Sequence, residues 1–388
     1  MAPFVPIPHL LRVEERLHQA VDCPSPEVHE VLTFHLSGGK RLRPALVFLS
    51  AGFGPYDPEQ VIDVAASLEL IHLASLIHDD LIDGASFRRS KPALHKAFGN
   101  LPAVLAGDYL FAAAFSLLSR AKKSVISTVT SAIQSVCEGE ITEQRKRCAS
   151  EAEYYHLISK KTGALMAAAC ESGGLLCGIS KPKLQRLKLF GLHLGRAFQM
   201  VDDILDLTGE NSALGKPVLR DLAQEIVTLP ILYFMDISPL GRELWNQLTS
   251  GGITEETGRR WVEQIKEAGC LQRAVRAAET EIELALGQLR LLPPEPARQE
   301  LAQLARQILM PVSHLLNDPR PAEEGAQAGQ VTSLGAGSTK DPFSHPLEAA
   351  FLRFRVGEIQ CQQTVDNRPV EAGIGQEADT VSGLSNQE

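Results

Sequence analysis

The amino-acid sequence predicts an all-α protein, and three observations support this fold class. The chain has 388 residues with 44% hydrophobic content, which is enough to bury a large core. Ala and Leu are abundant, whereas there are only two Trp and five Tyr, a bias that favours helices over sheets. Few stretches alternate apolar and polar residues as strands do. Prolines and glycines divide the helical blocks, with breaks predicted at Gly38–Gly39, Gly52–Pro58, Gly84, Pro92, Gly99–Pro102, Ser180–Pro182, Gly209–Pro217, Pro239 and Gly251–Gly252.

We predict a helical domain over residues 1–318 and a low-complexity tail over residues 319–388. Two further helices are expected between 254 and 318, where they would complete the wall of a bundle. From Pro319 the composition cannot bury enough apolar surface to fold, so this tail is predicted to be disordered. A short amphipathic segment at 347–355 interrupts it. Docking on the body, membrane contact and no role stay open for this segment, and the marginal stability of short helices favours the last.

Charge and composition exclude several classes of protein. The formal net charge is -9 and the basic residues are clustered locally, which argues against a nucleic-acid partner. The seven cysteines show no CxxC spacing, as expected for reduced residues in a cytoplasmic protein. The N-terminal stretch has no cationic region of a secretory signal. The longest apolar runs are interrupted by Asp108 and Glu171, so we expect buried helices and no stable membrane insertion.

Two aspartate triplets of the same form lie more than a hundred residues apart: Asp79, Asp80 and Asp83, and Asp202, Asp203 and Asp206. On a helix, residues four apart share a face, so each triplet forms a ladder of carboxylates. The apolar neighbours indicate helices that are mostly buried, where such repulsion requires a cation. Mg²⁺ is the natural candidate, because it prefers hard oxygen ligands and substrate phosphates. A solvated face with basic partners is the alternative, which the repetition of the motif disfavours.

Basic clusters accompany these triplets and indicate anion pockets. Lys40, Arg41 and Arg43 precede Pro44, which is favoured in the first turn of a helix, where backbone N–H groups are also unpaired. The other clusters are Arg88, Arg89 and Lys91, then Lys160 and Lys161 beside Thr162, and finally Lys216. Each cluster alone is more often a solvated surface. Together with two metal-type motifs they indicate pockets for phosphorylated substrates.

From about residue 30 to about residue 235 the chain resembles the trans-isoprenyl diphosphate (polyprenyl) synthases, in particular those of medium- or long-chain products. The matching stretches are, in order, GGKRLRP, ELIHLASLIHDDLIDGASFRRSKPALH, FGNLPAVLAGDYLFA, the Gly139–Glu140 pair, KKTGALMAAAC, FGLHLGRAFQMVDDILDLTG and LGKPVLRDLAQEIVTLPILY. The resemblance implies an isoprenoid-synthase-type helical bundle around a central cavity. In that bundle the two aspartate motifs face each other across the cavity.

The resemblance also implies a reaction and its substrates. An allylic diphosphate of the farnesyl or geranylgeranyl type condenses head-to-tail with isopentenyl diphosphate to give an all-trans polyprenyl diphosphate. Roughly three Mg²⁺ ions per site would assist with substrate bound. The proton lost at the end goes to the released diphosphate, so no protein base is required. A dimer is implied, with a homodimer and a heteromer both left open.

Site residues carry over by position. Asp79, Asp83 and Asp202 would hold Mg²⁺, supported by Asp80, Asp203 and Asp206. The allylic diphosphate would contact Arg88, Lys161 and Lys216, and the diphosphate of isopentenyl diphosphate would contact Gly39, Lys40, Arg43, His72 and Arg89. From the sequence itself, His72 lies two turns before Asp79 on the same face. Thr162 and Gln199 either place oxygen dipoles near the carbocation or simply pack.

Small side chains upstream of the first triplet predict a long product. Ala74 and Ser75 stand where short-chain relatives place an aromatic floor of the cavity. Each helical turn that is cleared, about 5.4 Å, gives close to the room of one isoprene unit, so about five units or more are predicted. The next floor, at Ile71 or at Met166, Ala167 and Cys170, stays open.

Three departures from the family pattern stand beside these matches. Many relatives carry a Gly-Lys pair where this chain has Glu225 and Ile226, so one lysine contact to the allylic diphosphate is missing. Leu219 replaces a frequent glycine, and the tail has no counterpart in the family. A geranylgeranyl diphosphate synthase and a subunit that needs a partner chain therefore stay open as alternatives. A terpene cyclase is a third alternative, which the second aspartate triplet argues against.

Overall fold

The computed structural model describes residues 7–208, 222, 224–251 and 253–317, and within them the protein is almost entirely helical. The only sheet in these ranges is a hairpin of two strands, each of which is two residues long. The all-α fold class is therefore confirmed. Lys216, Leu219, the predicted break at Gly209–Pro217 and the tail from Pro319 lie outside the described residues, so the 1–318 domain boundary stays a prediction.

The helices follow one another with short connections. In the first part of the chain the elements are α1 (Ile7–Ala20), α2 (Pro26–Thr33), α3 (Leu42–Ala51), α4 (Pro58–Ile82), β1 (Phe87–Arg88), β2 (Lys91–Pro92), α5 (Leu94–Phe98), α6 (Asn100–Leu118) and α7 (Lys123–Arg145). In the second part they are α8 (Glu151–Ile158), a π-helical turn (Ser159–Gly163), α9 (Ala164–Leu176), α10 (Lys181–Thr208), α11 (Leu229–Ile237), α12 (Gly241–Ser250), α13 (Glu255–Glu267), α14 (Cys270–Arg290), α15 (Pro296–Gln307) and a 3₁₀ helix (Met310–Asn317).

The long helices α4 and α10 form the centre of the bundle. Helix α4 packs against α3, α6 and α9, and α10 packs against α9 and α14. Because α4 is apolar on nearly all sides, most of its side chains are buried. Asp57 caps its N-terminus by accepting a hydrogen bond from the Glu59 backbone N–H at 3.0 Å. Both aspartate triplets lie at the C-terminal ends of these two helices.

The C-terminal part of the domain differs from the sequence prediction by one helix. Two helices were expected between 254 and 318, whereas the structure has α13, α14 and α15. Helix α13 begins after a capping box at Thr254, as the sequence indicates. The additional helix α15 begins with Pro296 at its first turn and buries Ala297, Leu301 and Leu304. The sequence prediction missed this short helix because the connection before it is rich in proline.

Two helices of the bundle are long and apolar enough to cross a membrane by length and composition alone. In α4 the body of the protein buries 72% of the apolar window, whereas in α6 it buries 39%. Helix α6 nevertheless packs one face on α4, through residues such as Ala103, Ala106 and Leu110. The opposite face carries exposed apolar side chains, including Leu101, which is 69% exposed.

Close approach of α9 to α3 depends on Gly173. A Cβ atom at this position would lie 2.3 Å from the Val47 carbonyl oxygen and 2.9 Å from the Ala51 backbone nitrogen. Gly173→Ala should therefore lower the free energy of unfolding by about 1–3 kcal/mol through overpacking. Gly287→Ala on α14 is the matched control, because a Cβ there meets nothing within 4 Å and better helix propensity should raise stability slightly. Urea denaturation of both variants checks this, and equal stability would contradict the packing argument.

Candidate active site

A central cavity of about 310 Å³ contains residues from both aspartate motifs. Helices α4, α7, α8, α9 and α10 and the π-turn surround it. The lining residues are Arg43, His72, Ser75, Leu76, Asp79, Asp83, Arg88, Val136, Glu140, Glu143, Tyr154, Leu157, Ile158, Lys161, Thr162, Leu165, Phe198, Gln199, Asp202, Asp203, Gln224, Ile226, Val227 and Thr228. Polar groups collect where α4 and α10 end, and apolar side chains form much of the remaining wall.

In the first aspartate motif, two side chains line the cavity and the third is buried in the protein interior. Asp79 and Asp83 line the cavity. Asp80 is only 2% exposed and accepts two hydrogen bonds from the Arg88 guanidinium, with the Nη2–Oδ1 distance being 2.7 Å. Arg88, which was predicted to contact diphosphate, also lines the cavity. Its side chain is thus held in place by Asp80.

The second aspartate motif is anchored by a chain of hydrogen bonds. Asp203 accepts from the Tyr154 hydroxyl at 2.5 Å and from the Gln199 side-chain amide at 2.8 Å. The Gln199 carbonyl oxygen in turn accepts from the Thr162 hydroxyl at 2.6 Å. Asp202 lines the cavity, whereas Asp206 lies one turn further along α10 and is not among the lining residues. The network places Thr162 and Gln199 together at the cavity wall.

Two carboxyl groups of the aspartate motifs have pKa values well above their ordinary range. Burial, the largest cause, and the neighbouring Glu140 and Asp83 carboxylates raise the pKa of Asp79 to about 7, while Lys161 and Arg88 oppose this shift. Burial also raises the pKa of Asp203 to about 7, against the hydrogen bonds from Tyr154 and Gln199. Carboxylates crowded in a desolvated cavity bind a proton or another cation to relieve their repulsion. This is the electrostatic behaviour expected of a cation site.

Lys161 lies in the π-turn between two carboxylates that the sequence analysis did not assign. Its ammonium is 3.0 Å from Glu140 and also pairs with Glu143. Burial lowers the pKa of Lys161, but Glu143 and Glu140 outweigh burial and raise it above its ordinary value. The sequence signals were the Gly139–Glu140 pair and the spacing of three between Glu140 and Glu143 on one helix face. The polar cavity residues to which the sequence analysis gave no role are these two acids, Tyr154, Gln224 and Thr228.

A second group of basic side chains lies beside the cavity, around a turn in which two glycines adopt the left-handed backbone conformation. Gly38 and Gly39 have φ of +90° and +100°, and a Cβ on Gly39 would lie 2.8 Å from the Arg89 guanidinium. Burial, with a smaller contribution from Arg89, lowers the pKa of Arg43 to about 10, although Glu69 opposes the shift. Burial, Arg43 and Arg89 hold the pKa of His72 well below its ordinary value, so its imidazole is neutral. This concentration of positive charge fits an anion.

The other two basic residues of the GGKRLRP stretch, Lys40 and Arg41, differ in position. The Lys40 ammonium lies 5.3 Å from the centre of the Phe198 ring, next to the cavity. Arg41 is buried and pairs with Glu14 at 2.5 Å and with Glu69 at 2.8 Å. Arg41 therefore stabilises the fold, whereas Gly39, Arg43, His72 and Arg89 form a cluster at the cavity.

The two small residues predicted to control product length are placed differently. Ser75 lines the cavity, and its hydroxyl donates to the His72 carbonyl oxygen at 2.9 Å. Ala74 is fully buried and is not among the lining residues, because the cavity follows the side of α4 that carries His72, Ser75 and Asp79. Of the residues considered for a deeper floor, Ile71, Met166, Ala167 and Cys170 are buried outside this lining.

Comparison with known proteins decides the family. The family model for polyprenyl synthetases matches residues 25–265. The sequence is 36% identical over 302 residues to heptaprenyl diphosphate synthase component 2 of Bacillus subtilis, a match that covers 76% of this chain and 86% of that protein. The chain belongs to the polyprenyl synthetase family. It is therefore a prenyltransferase, which confirms the resemblance.

Other relatives agree with this assignment. Octaprenyl diphosphate synthase of Escherichia coli is 34% identical over 276 residues, covering 69% of this chain and 84% of that protein. A polyprenyl synthase from Caulobacter crescentus, crystallised with calcium and isoprenyl diphosphate, superposes with a TM-score of 0.73 at 30% identity. That alignment covers 78% of this chain and 94% of the other. Family membership thus confirms the isoprenoid-synthase fold.

The synthase departs from the family pattern at Glu225 and Ile226. Glu225 has φ of +60°, the left-handed region that favours the glycine frequent at this position. Its carboxylate pairs with Arg147, so the added negative charge is neutralised locally. Ile226 lines the cavity with an apolar side chain. The lysine contact that relatives make here is therefore not replaced by residue 226.

The donor set of the synthase fits a hard divalent cation. Asp79, Asp83 and Asp202 present carboxylates to one cavity, and family members are metal-dependent. In the described residues no three or more His, Cys, Asp or Glu side chains converge as a complete metal-binding group. A hard cation such as Mg²⁺ is usually held by one or two carboxylates and completes its shell with water and substrate phosphate.

The raised pKa of Asp79 predicts how metal affinity depends on pH. Because the pKa rises from 3.8 to about 7, the folded protein keeps a proton that the unfolded chain has lost. The resulting stability is complete below about pH 4 and is lost as pH rises through about 7. A divalent cation competes with this proton. The increase in Tm caused by saturating Mg²⁺ should therefore be larger by about 2 °C or more at about pH 8 than at about pH 6.

Differential scanning fluorimetry with and without Mg²⁺ measures this difference. Asp79→Asn removes one titrating carboxyl and should reduce the difference between the two pH values. An equal Mg²⁺ effect at both pH values in the wild type would show that Asp79 does not bind the metal in competition with protons.

Proposed function

We propose that this protein is an Mg²⁺-dependent trans-polyprenyl diphosphate synthase that adds isopentenyl diphosphate to an allylic diphosphate of the farnesyl or geranylgeranyl type. One observation carries the proposal: Asp79 and Asp83 of the first motif, Asp202 and Asp203 of the second, and Lys161 line a single cavity that also has an apolar wall. The polar end suits two diphosphates. The apolar wall, including Leu76, Val136, Leu165 and Phe198, suits a hydrocarbon chain.

The reaction needs stabilisation of the negative charge that develops on the leaving diphosphate. Its C–O bond breaks to give an allylic cation, and the double bond of isopentenyl diphosphate then forms the new C–C bond. About three Mg²⁺ ions, held by Asp79, Asp83 and Asp202, would supply Lewis-acid neutralisation of the diphosphate. Lys161 and Arg88 donate hydrogen bonds to the same group. Asp80 and Asp203 act by fixing Arg88 and the Gln199–Thr162 pair, respectively.

The remaining residues orient the second substrate and protect the cation. Gly39, Arg43, His72 and Arg89, with Lys40 nearby, hold the diphosphate of isopentenyl diphosphate. Neutral His72 donates a hydrogen bond without adding charge. The oxygens of Thr162 and Gln199 lie at the wall that borders the cation, and Phe198 and Leu165 exclude water from it. The last step transfers a proton from the new chain to the released diphosphate.

We further propose that the working unit is a dimer formed through the exposed apolar face of α6. Leu101, Leu105 and Phe115 lie on this face and are 69%, 57% and 42% exposed, a patch of the kind that marks protein contacts. A homodimer is the simpler arrangement. A heteromer is the alternative, because the Bacillus subtilis relative is named as component 2 of its synthase.

Purified chain alone, given Mg²⁺, farnesyl diphosphate and labelled isopentenyl diphosphate, should form polyprenyl diphosphate. Asp79→Ala and Asp202→Ala should each lower kcat by about 10³-fold, since each removes a ligand that acts on the developing charge. Asp236→Asn, at an exposed position at the end of α11, is the control and should leave activity unchanged. Unimpaired condensation in both alanine variants would refute the proposed mechanism. Activity that appears only after a second chain is added would assign the heteromer.

Ser75 should set the length of the product. We propose about five isoprene units or more, because the small Ser75 side chain lines the cavity at this position. Ser75→Phe should shorten the main product by about one or more units, as its ring would occupy the space beside Leu76. Ser75→Ala, which keeps the wall open, should not. Chromatographic sizing of the dephosphorylated products separates these outcomes, and farnesyl diphosphate as the sole wild-type product would contradict the length proposal. Geranylgeranyl diphosphate as the end product would select the alternative of a short-chain synthase.

A further inference from the structure

The helix that carries Lys161 is interrupted by a π-turn over Ser159–Gly163, between α8 and α9. π-Turns are rare, and they often occur where a side chain must be directed into a functional site. Here Lys161 and Thr162 reach the cavity from this turn. A continuous α-helix would rotate these two side chains relative to the cavity. Whatever stabilises the turn therefore determines the position of both groups.

Two glycines on neighbouring helices hold the turn from opposite sides. A Cβ on Gly195 of α10 would lie 2.7 Å from the Gly163 Cα and 3.2 Å from the Thr162 carbonyl oxygen. A Cβ on Gly139 of α7 would lie 2.9 Å from the Lys161 Cγ. The backbone of the turn thus packs directly on two helices. Shape alone restricts how far it can move, but it supplies no directional bond.

The directional bond comes from Arg196, the residue after Gly195. Its Nε donates a hydrogen bond to the Ser159 hydroxyl oxygen at 2.7 Å, at the first residue of the turn. The Ser159 hydroxyl in turn donates to the Tyr155 carbonyl oxygen. The Arg196 guanidinium also lies 5.7 Å from the Tyr155 ring centre, a cation–π contact. Arg196 therefore contacts both the turn and the helix that precedes it.

A buried carboxylate behind Arg196 fixes its orientation. Glu281 of α14 is only 3% exposed. Its two oxygens lie 3.6 Å from the Arg196 guanidinium and 2.7 Å from the His193 imidazole, both on α10. A buried carboxylate requires such partners. Neither Arg196, His193 nor Glu281 lines the cavity, so the polar cluster has no direct access to substrate.

We propose that Arg196, oriented by Glu281, is a positioning residue that holds the π-turn so that Lys161 and Thr162 face the allylic diphosphate. The inference rests on the function proposed above for Lys161. It extends the active site to a layer formed by α10 and α14 that does not touch substrate. It also explains why the Glu281 carboxylate is buried at an apolar helix interface.

Arg196→Gln tests the proposal, with Arg186→Gln as the matched control. Arg186 also lies on α10 and donates to Gln288 of α14 at 3.0 Å, but it does not contact the turn. In Arg196→Gln, hydrogen–deuterium exchange of the amides of residues 159–164 should accelerate by about tenfold or more, because a charged hydrogen bond is lost. The dissociation constant of inorganic diphosphate in the presence of Mg²⁺, measured by calorimetry, should rise by about tenfold. The KM for isopentenyl diphosphate should stay unchanged, because its proposed ligands lie on α3, α4 and the loops beside them, away from the π-turn.

Arg186→Gln should change none of these quantities. Arg196→Lys keeps a cation opposite Glu281 and should recover part of the diphosphate affinity. If Arg196→Gln folds poorly, Ser159→Ala removes the acceptor, together with its own bond to the Tyr155 carbonyl oxygen, and should give the same changes at smaller size. Exchange and diphosphate affinity in Arg196→Gln equal to those of Arg186→Gln would overturn the proposal. Lys161→Ala separates the two ideas: unchanged diphosphate affinity there would refute the role of Lys161, while the exchange measurement would still decide the role of Arg196.

Discussion

Repulsion between carboxylates across one cavity is the constraint on which the rest of this structure depends. Asp79 and Asp83 lie at the C-terminal end of α4, and Asp202 lies at that of α10. The C-terminal end of a helix already carries partial negative charge, so the macrodipoles of both helices add to the repulsion. Such an arrangement is stable only with cations at hand. The basic side chains around the cavity, and divalent metal in the working enzyme, meet that need.

The bundle is built so that this cavity stays rigid. Glycines let α9 approach α3 and α10 closely, because a Cβ at Gly173 or Gly191 would clash with backbone atoms of the neighbouring helix. The polar groups of the wall are also cross-linked, as in the chain from Thr162 through Gln199 to Asp203. Rigid placement matters because the reaction relies on preorganised charge rather than on a protein base.

Composition was sufficient for the fold class, and a spacing of four on a helix was sufficient to place the aspartates of each motif on a shared face. Neither could assign partners across helices. The pairing of Arg88 with Asp80, the placement of Lys161 between Glu140 and Glu143, and the burial of Arg41 all depend on tertiary contacts. Adjacent helical residues diverge by about 100°, so the cavity reaches Ser75, which lies four residues before Asp79, and does not reach Ala74.

The two ion pairs of Lys161 have a consequence for repeated turnover. In the proposed mechanism, Glu140 and Glu143 compete with diphosphate for the three N–H donors of one ammonium group. This competition weakens the binding of inorganic diphosphate, the by-product of the reaction. By thermodynamic reciprocity, carboxylates freed from Lys161 attract a divalent ion more strongly, so metal and diphosphate should enter and leave together. Such coupled exchange suits a catalyst that must clear its pocket before every elongation step.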